Sequence, residues 1–240
     1  MKEEKVIFWD FDGTLAYQKG RFGRALFRVL NENEKEHNYK IEDIRPFLQD
    51  GFPWHNPEKS YLHLVDPKEW WNYVEQIFVK AYVGIGLDTD KAVKYSKIAH
   101  LYYVDSSGFY LYEDTKETLE YFLKKGWKNV ILSNHVPELP DIVNDLGLNT
   151  YLTGCISSAS VGYEKPNPEI FKIALNYVGN PQTVWMIGDN IIADVKGAEA
   201  VGIKAILVRT LQEEKVGHYA ENLHEVITII EKEEAIHGKE

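Results

Sequence analysis

Between Glu113 and Val208 the chain alternates short apolar runs with amphipathic stretches that each stop at a glycine, and few folds accept that pattern. Residues 129–133, 155–157, 183–187 and 203–208 read as strands. They are continuously apolar rather than alternating, as expected of strands buried on both faces. Residues 115–125, 137–146, 168–178 and 193–201 carry helical spacing, and Gly126, Gly147, Gly179 and Gly202 stand where those helices should end. Strand–helix repeats of this length predict an α/β fold with a doubly wound, mainly parallel sheet, because a parallel connection must cross back over the sheet. In such sheets the binding crevice lies at the C-terminal ends of the strands.

A further apolar run, Val6-Ile7-Phe8-Trp9, delivers Asp10 and Asp12 and then breaks at Gly13. In an extended chain residues two apart project to the same side, so both carboxylates are expected to face one point. Two such charges raise each other's pKa unless a cation lies between them, which suggests Mg²⁺, a hard ion that prefers oxygen ligands. Near the other end, Val184-Trp185-Met186-Ile187 runs into Gly188-Asp189, and Asp194 follows, making four candidate acids. The run 129–132 ends in Ser133-Asn134. Lys165 lies in Tyr163-Glu164-Lys165-Pro166-Asn167-Pro168, where Asn167 suits an N-cap and Pro168 a first helical residue. A cation beside that helix start can hold an anion.

In this order, Asp10-Phe11-Asp12-Gly13-Thr14-Leu15, Ser133 in Leu-Ser-Asn, Lys165 in Glu-Lys-Pro-Asn-Pro, and Gly188-Asp189 with Asp194 resemble the four motifs of the haloacid dehalogenase-like superfamily. The resemblance covers the chain except one insert. It implies phosphatase chemistry on a small phosphate monoester: Asp10 as nucleophile, forming an aspartyl-phosphate, and Asp12 as general acid and base. It also implies Mg²⁺ held by Asp10, Asp189, the Asp12 backbone carbonyl and Asp194, directly or through water. Ser133, Asn134, Lys165 and Thr14 would then form the phosphate-binding set, Thr14 by orienting the first loop. Asp12 separates the chain from the dehalogenase branch, where that position is not acidic. A phosphomutase keeps both aspartates and is the enzymatic alternative; a silent binding or regulatory module is the alternative of another class, and such relatives usually lose the nucleophile or the acids of the fourth motif.

The insert differs in character. Residues 17–108 contain few strand-like runs and many Trp, Tyr and His, with helical spacing at Trp70, Tyr73, Val74 and Ile77. It reads as a smaller helical cap domain between two parts of a catalytic core, 1–16 and 109–240, with linkers near Lys19-Gly20 and Ser106-Ser107-Gly108. Within it Trp54 and His55, in Phe52-Pro53-Trp54-His55, and Trp70-Trp71 are candidates for substrate contact, and Arg21, which shares a helical face with Arg24 and Arg28, for a second anionic group.

Composition excludes several other classes. A net charge of −10 argues against nucleic acid, which is bound by clustered Lys and Arg, whereas one divalent ion and Lys165 can reverse the sign locally for a small phosphorylated metabolite. The single cysteine, Cys155, permits no internal disulfide and falls in a core strand, where a thiol is inert. No membrane span is evident, and the N-terminal apolar run is too short for a signal-peptide core, so a cytoplasmic protein is expected, monomeric or homodimeric. No P-loop, no Gly-x-Ser-x-Gly elbow and no paired zinc-protease histidines occur. Residues 231–240 are expected to form a frayed, solvated end.

Overall fold

The structure, a computed structural model, describes residues 4–210 and 216–237. In chain order its elements are β1 (Lys5–Trp9), β2 (Ala16–Gln18), α1 (Arg21–Asn33), α2 (Ile41–Ile44), α3 (Pro67–Gly84), α4 (Thr89–Val104) and β3 (Phe109–Leu111). There follow α5 (Thr115–Lys124), β4 (Trp127–Ser133), α6 (Leu139–Asp145), β5 (Gly154–Ser157), α7 (Ser158–Val161), α8 (Pro168–Tyr177), β6 (Thr183–Gly188), α9 (Gly197–Glu199), β7 (Lys204–Val208), β8 (Tyr219–Ala220) and α10 (Leu223–His237).

Six strands form one parallel sheet in the order β5-β4-β1-β6-β7-β8, so the expected α/β architecture is present. Its central strand shows why the apolar runs are continuous. Ile7 and Trp9 join one core layer with Leu119 and Phe122 of α5 and Leu223 and Val226 of α10, while Val6 and Phe8 join the other with Ile170 and Phe171 of α8. Successive side chains point to opposite faces, and a helix layer covers each, so from Val6 to Trp9 β1 has no place for a polar residue. Emptying one of these sites, as in Phe8→Ala, costs about 3–5 kcal/mol.

Between the sheet's first strand and β3 the chain is mainly helical, with α4 packed on both α1 and α3. Asp66 and Asp88 cap α3 and α4 by accepting N–H bonds from Lys68 and Glu69, and from Asp90 and Lys91. The aromatic residues of this region mostly pack on one another: Phe22 stacks on Phe52 at 4.9 Å and on Tyr103 at 3.8 Å, and Trp70 and Trp71 are core. Among the described residues, hydrogen bonds tie the helical region to the sheet domain at three places. Tyr61 N–H donates to Gly162 O at 2.8 Å, Asn167 Nδ2 to Pro57 O at 2.9 Å, and Trp71 Nε1 to Glu138 Oε1 at 2.9 Å.

Several details depart from the sequence reading. Next to the segments expected as linkers, which are turns at Lys19-Gly20 and Ser106–Gly108, β2 and β3 pair as an antiparallel ribbon that was not expected; three-residue strands are too short to show a period. The helix expected over 193–201 begins earlier, as a widened π-helical turn at Ile191–Lys196 leading into α9. The end expected to fray is α10 as far as His237, because Leu223, Val226 and Ile230 bury an apolar stripe; residues 238–240 lie outside the described residues. Cys155 is half-buried in β5, and burial pushes its thiol up to about 12. No helix among the described residues is long and apolar enough to cross a membrane.

Candidate active site

β1, β4 and β6 end side by side, and each delivers its polar residue to one place. Asp10 follows β1 and stays in register by donating its N–H to Ile187 O at 2.8 Å, Ser133 ends β4, and Asp189 follows β6. The π-helical turn after Asn190 then folds Asp194 back beneath Gly188. One oxygen from each of Asp10, Asp189 and Asp194 lies within 4.8 Å of the others, a spacing that one cation can bridge. All three donors are hard carboxylate oxygens, the ligand type that Mg²⁺ or Ca²⁺ takes, so the set fits such an ion. Two glycines make room for it. A Cβ on Gly13, whose φ is +87°, would meet Asp189 Oδ2 at 2.2 Å, and one on Gly188 would meet Asp194 Oδ2 at 2.1 Å.

Lys165 lies beneath this group and is 2% exposed. Its ammonium donates to Asp10 Oδ1 at 2.7 Å, Asp194 Oδ1 at 2.6 Å and Leu132 O at 2.8 Å, which uses all three of its protons. Burial opposes its charge, but Asp10 and Asp194 outweigh burial and hold its pKa above the ordinary value. Ser133 Oγ also donates to Asp10 Oδ1, at 2.8 Å. Both bonds therefore fall on Oδ1, and among the described residues nothing hydrogen-bonds Asp10 Oδ2. Asn134 grips the Lys165 backbone from both sides, with Oδ1 accepting its N–H at 2.6 Å and Nδ2 donating to its carbonyl at 2.8 Å. That side chain is thus committed to placing Lys165.

Asp12 stands apart from the three-carboxylate group. β1 ends at Trp9, and the N–H groups of Leu15 and Ala16 fold back onto Phe11 O, so the same-side rule for extended chains no longer applies at Asp12. Asp12 still faces the cavity that Asp10 faces. Its Oδ1 is buried without a hydrogen-bond partner, and Oδ2 lies 3.8 Å from Nε2 of His135. Burial raises the Asp12 pKa, against the pull of His135 and Arg21. His135, which the sequence reading passed over although it directly follows Ser133-Asn134, is 2% exposed, and both its ring nitrogens lack partners.

Thr14 is fully buried and does not line the cavity. Its carbonyl instead accepts from Arg209 Nε at 3.1 Å, while the same guanidinium pairs with Asp114 and lies 3.7 Å over the Tyr112 ring. Asp114 in turn accepts the Leu223 N–H, so Arg209 braces the first loop against the start of α10. Arg209→Met should therefore cost about 2 kcal/mol, less than a fully buried pair because both partners keep some exposure. It should also lower kcat more than it raises KM. Urea denaturation and steady-state kinetics check both; unaltered values would show that the brace does nothing.

The cavity above Asp10 has a volume of about 610 Å³. The sheet domain supplies one wall with Asp12, Ser133, Asn134, Lys165, Asp189 and Asp194, and the helical region the other with Arg21, Phe52, Trp54 and His55. Trp54 and His55 thus stand where substrate contact was expected of them, whereas Trp70 and Trp71 do not line the cavity.

The sequence model of the haloacid dehalogenase-like hydrolase family matches residues 4–202, which span β1, the helical region and the turn carrying Asp194. The chain belongs to the haloacid dehalogenase-like hydrolases. Among relatives, the mouse haloacid dehalogenase-like hydrolase domain-containing protein 3 is 26% identical over 85% of this chain and 81% of its own. A glyceraldehyde 3-phosphate phosphatase from Pyrococcus furiosus is 27% identical over 92% of this chain and 85% of its own. In fold, this hydrolase is similar to a Bacillus subtilis hydrolase of the family solved bound to magnesium, with TM-score 0.71 at 16% identity over 95% of this chain and 99% of that one.

The hydrolase's acidic cluster also predicts how its stability depends on pH. Burial pushes the Asp189 carboxyl up to about 7 and the Asp194 carboxyl up to about 6, with Asp10 adding repulsion and Lys165 opposing it. A carboxyl whose folded pKa lies above its unfolded one, about 4, binds its proton more tightly when folded. That stabilisation is complete below about pH 4 and is lost as pH rises to about 7. Without divalent cations the protein should therefore melt lower at about pH 8 than at about pH 5, and less so as Asp189→Asn. Added Mg²⁺ should raise Tm more at the higher pH, where the carboxylates are ionised. Calorimetry that found Tm indifferent to the cation at both pH values would contradict the assignment of these acids.

Proposed function

We propose that this hydrolase is a Mg²⁺-dependent phosphatase that cleaves a small phosphate monoester through an aspartyl-phosphate on Asp10. The observation that carries the proposal is the state of Asp10: one carboxylate oxygen is pinned by Lys165 and Ser133, and the other is left without a donor at the floor of the cavity. An oxygen held in place but not hydrogen-bonded is positioned to attack and keeps its electron pair. Asp10 Oδ2 forms the bond to phosphorus while the bond to the ester oxygen breaks. Asp12, whose burial favours its protonated form, gives its proton to the departing alcohol and takes one back from the water that hydrolyses the acyl phosphate.

Asp10, Asp189 and Asp194, with the Asp12 carbonyl, would hold Mg²⁺, which when bound neutralises the acids and the phosphate oxygens. Lys165 holds Asp10 and Asp194 in place and opposes the upward shift that burial gives the Asp194 carboxyl. Its protons are all taken by protein oxygens, so a role on phosphate requires one of them to change partner during the reaction. Ser133 Oγ, which makes a single hydrogen bond, has fewer to exchange. The helical region, residues 17–108, would act as a cap that closes the cavity against water and chooses the alcohol. The phosphatase named among the relatives supports the reaction class.

The test is hydrolysis of p-nitrophenyl phosphate with and without Mg²⁺. Turnover that appears with the ion and disappears with a chelator is expected, together with phosphate labelling of the protein trapped by acid quench. Absence of turnover across a panel of phosphate esters, with Mg²⁺ present, would end the proposal.

A further inference from the structure

Three lysine and arginine side chains line the cavity, and two are committed. Lys165 is paired with Asp10 and Asp194, and Arg45 faces Glu42 at 3.5 Å. Arg21 has no hydrogen-bond or ion-pair partner among the described residues, although its charge lies in the field of Asp12, Asp189 and Asp10. Its neighbour on the same helix face shows what an arginine does when it is merely structural: Arg28 pairs with Glu32 at 2.9 Å and lies 4.0 Å over the Tyr102 ring. A guanidinium that faces three acids yet lies beyond 4.0 Å of every carboxylate oxygen described leaves room for something between.

The backbone is shaped to put it there. Gly20 and Arg21 both have positive φ, +78° and +44°, and the second is costly for a residue with a Cβ. The turn they make brings Gly20 to Gly23, the start of the 13-residue α1, onto the cavity wall. No side chain caps this helix, so its first N–H groups and the positive end of its dipole add to the Arg21 charge. On the sheet-domain wall, His135 is 2% exposed and lines the same cavity; neither ring nitrogen has a hydrogen-bond partner, and Nε2 lies 3.8 Å from Asp12 Oδ2.

We infer that Arg21 and the first turn of α1 form a second anion subsite, and that the substrate is a phosphate monoester whose alcohol carries a carboxylate or a further phosphate. The inference rests on the phosphatase reading and sharpens it by naming the substrate class. A cavity with four acids on one wall repels a second negative group, so such a substrate is accepted only if a free cation meets it. A neutral sugar or alcohol would have no use for an unpaired arginine held in a strained backbone. The guanidinium fork matches the two oxygens of either group, and the planar, bidentate contact makes Arg more than a point charge.

The experiment compares matched esters with Mg²⁺ present: 2-phosphoglycolate against ethyl phosphate for the carboxylate, and glucose 1,6-bisphosphate against glucose 1-phosphate for the second phosphate. The wild-type protein should prefer the anionic member of one pair by roughly 10- to 100-fold in kcat/KM, the worth of one charged hydrogen-bonded contact. Arg21→Ala and Arg21→Gln should bring that ratio close to one, and Arg21→Lys should keep part of it. The pair that responds tells carboxylate from phosphate. A wild-type ratio near one for both pairs, or a ratio unchanged in both Arg21 variants, overturns the subsite. Binding separates this from the reaction itself: phosphonoacetate should raise Tm more than methylphosphonate does, and the excess should vanish in Arg21→Gln. If no ester is turned over but this Arg21-dependent excess remains, the subsite stands and the phosphatase reading falls; if neither is seen, both fall.

Discussion

Asp10→Asn will leave less than about a thousandth of the wild-type ester hydrolysis while the protein stays folded. The amide has the size and shape of the carboxylate. Its oxygen can still accept from Ser133 Oγ and Lys165 Nζ, which bond Asp10 at 2.8 and 2.7 Å, so the local structure has no reason to move. What is lost is the second oxygen. A nitrogen whose lone pair is delocalised into the amide cannot attack phosphorus, and the adjoining Asp194 is engaged by Lys165 and the Asn190 N–H. The fold should not suffer, because one of three crowded negative charges has been removed. Single-turnover assays with p-nitrophenyl phosphate and a thermal melt measure the two halves of this result. Activity above a tenth of wild type, with Tm unchanged, would show that Asp10 is not the nucleophile.

The second large effect is on stability. Lys165→Met keeps roughly the volume of the side chain but removes its charge, and should cost about 3–5 kcal/mol, the usual loss when one partner of a buried ion pair is deleted. Asp10 and Asp194 would be left facing each other across a gap with no cation, at 7% and 1% exposure. Asp194, whose carboxyl burial already holds above its unfolded value, would lose the ammonium that opposes that shift. The variant's deficit should accordingly be small at about pH 4, where both states are protonated, and grow as pH rises past neutrality. Added Mg²⁺ should recover part of the loss at the higher pH by supplying the missing positive charge. Urea denaturation at about pH 5 and about pH 8 tests this. An unfolding midpoint equal to that of wild type at both would mean that Lys165 contributes no net stability.

How much of this could be read beforehand depended on whether a feature was local. The strand before Asp10, the glycine after Asp12 and the Pro-Asn-Pro after Lys165 are signals within about ten residues, and they placed these side chains at strand ends and helix starts. His135 was equally close in sequence, one residue after Asn134, but a histidine beside a motif has no signature until Asp12 is seen 3.8 Å from it. The Asn134 clamp on Lys165 spans 31 residues, and the Arg209 brace on Thr14 spans 195; neither has a sequence pattern, because the contact is made by packing alone. Thr14, expected in the phosphate-binding set as part of the first motif, is buried and does not line the cavity. The chain turns back at Phe11, and side-chain direction past that turn no longer follows strand alternation.

The amino-acid sequence alone determined the parallel sheet, the helical insert and the identity of the acids, since apolar period, glycine stops and carboxylates after apolar runs are properties of neighbouring residues. Only the tertiary structure decided which oxygen of Asp10 has no donor among the described residues, that the Lys165 protons are spent on protein, that Asp12 stands outside the three-carboxylate group, and that Arg21 lines the cavity without an ion-pair partner among those residues. Each of these depends on distances between segments far apart in the chain, and those distances are set by how the layers pack.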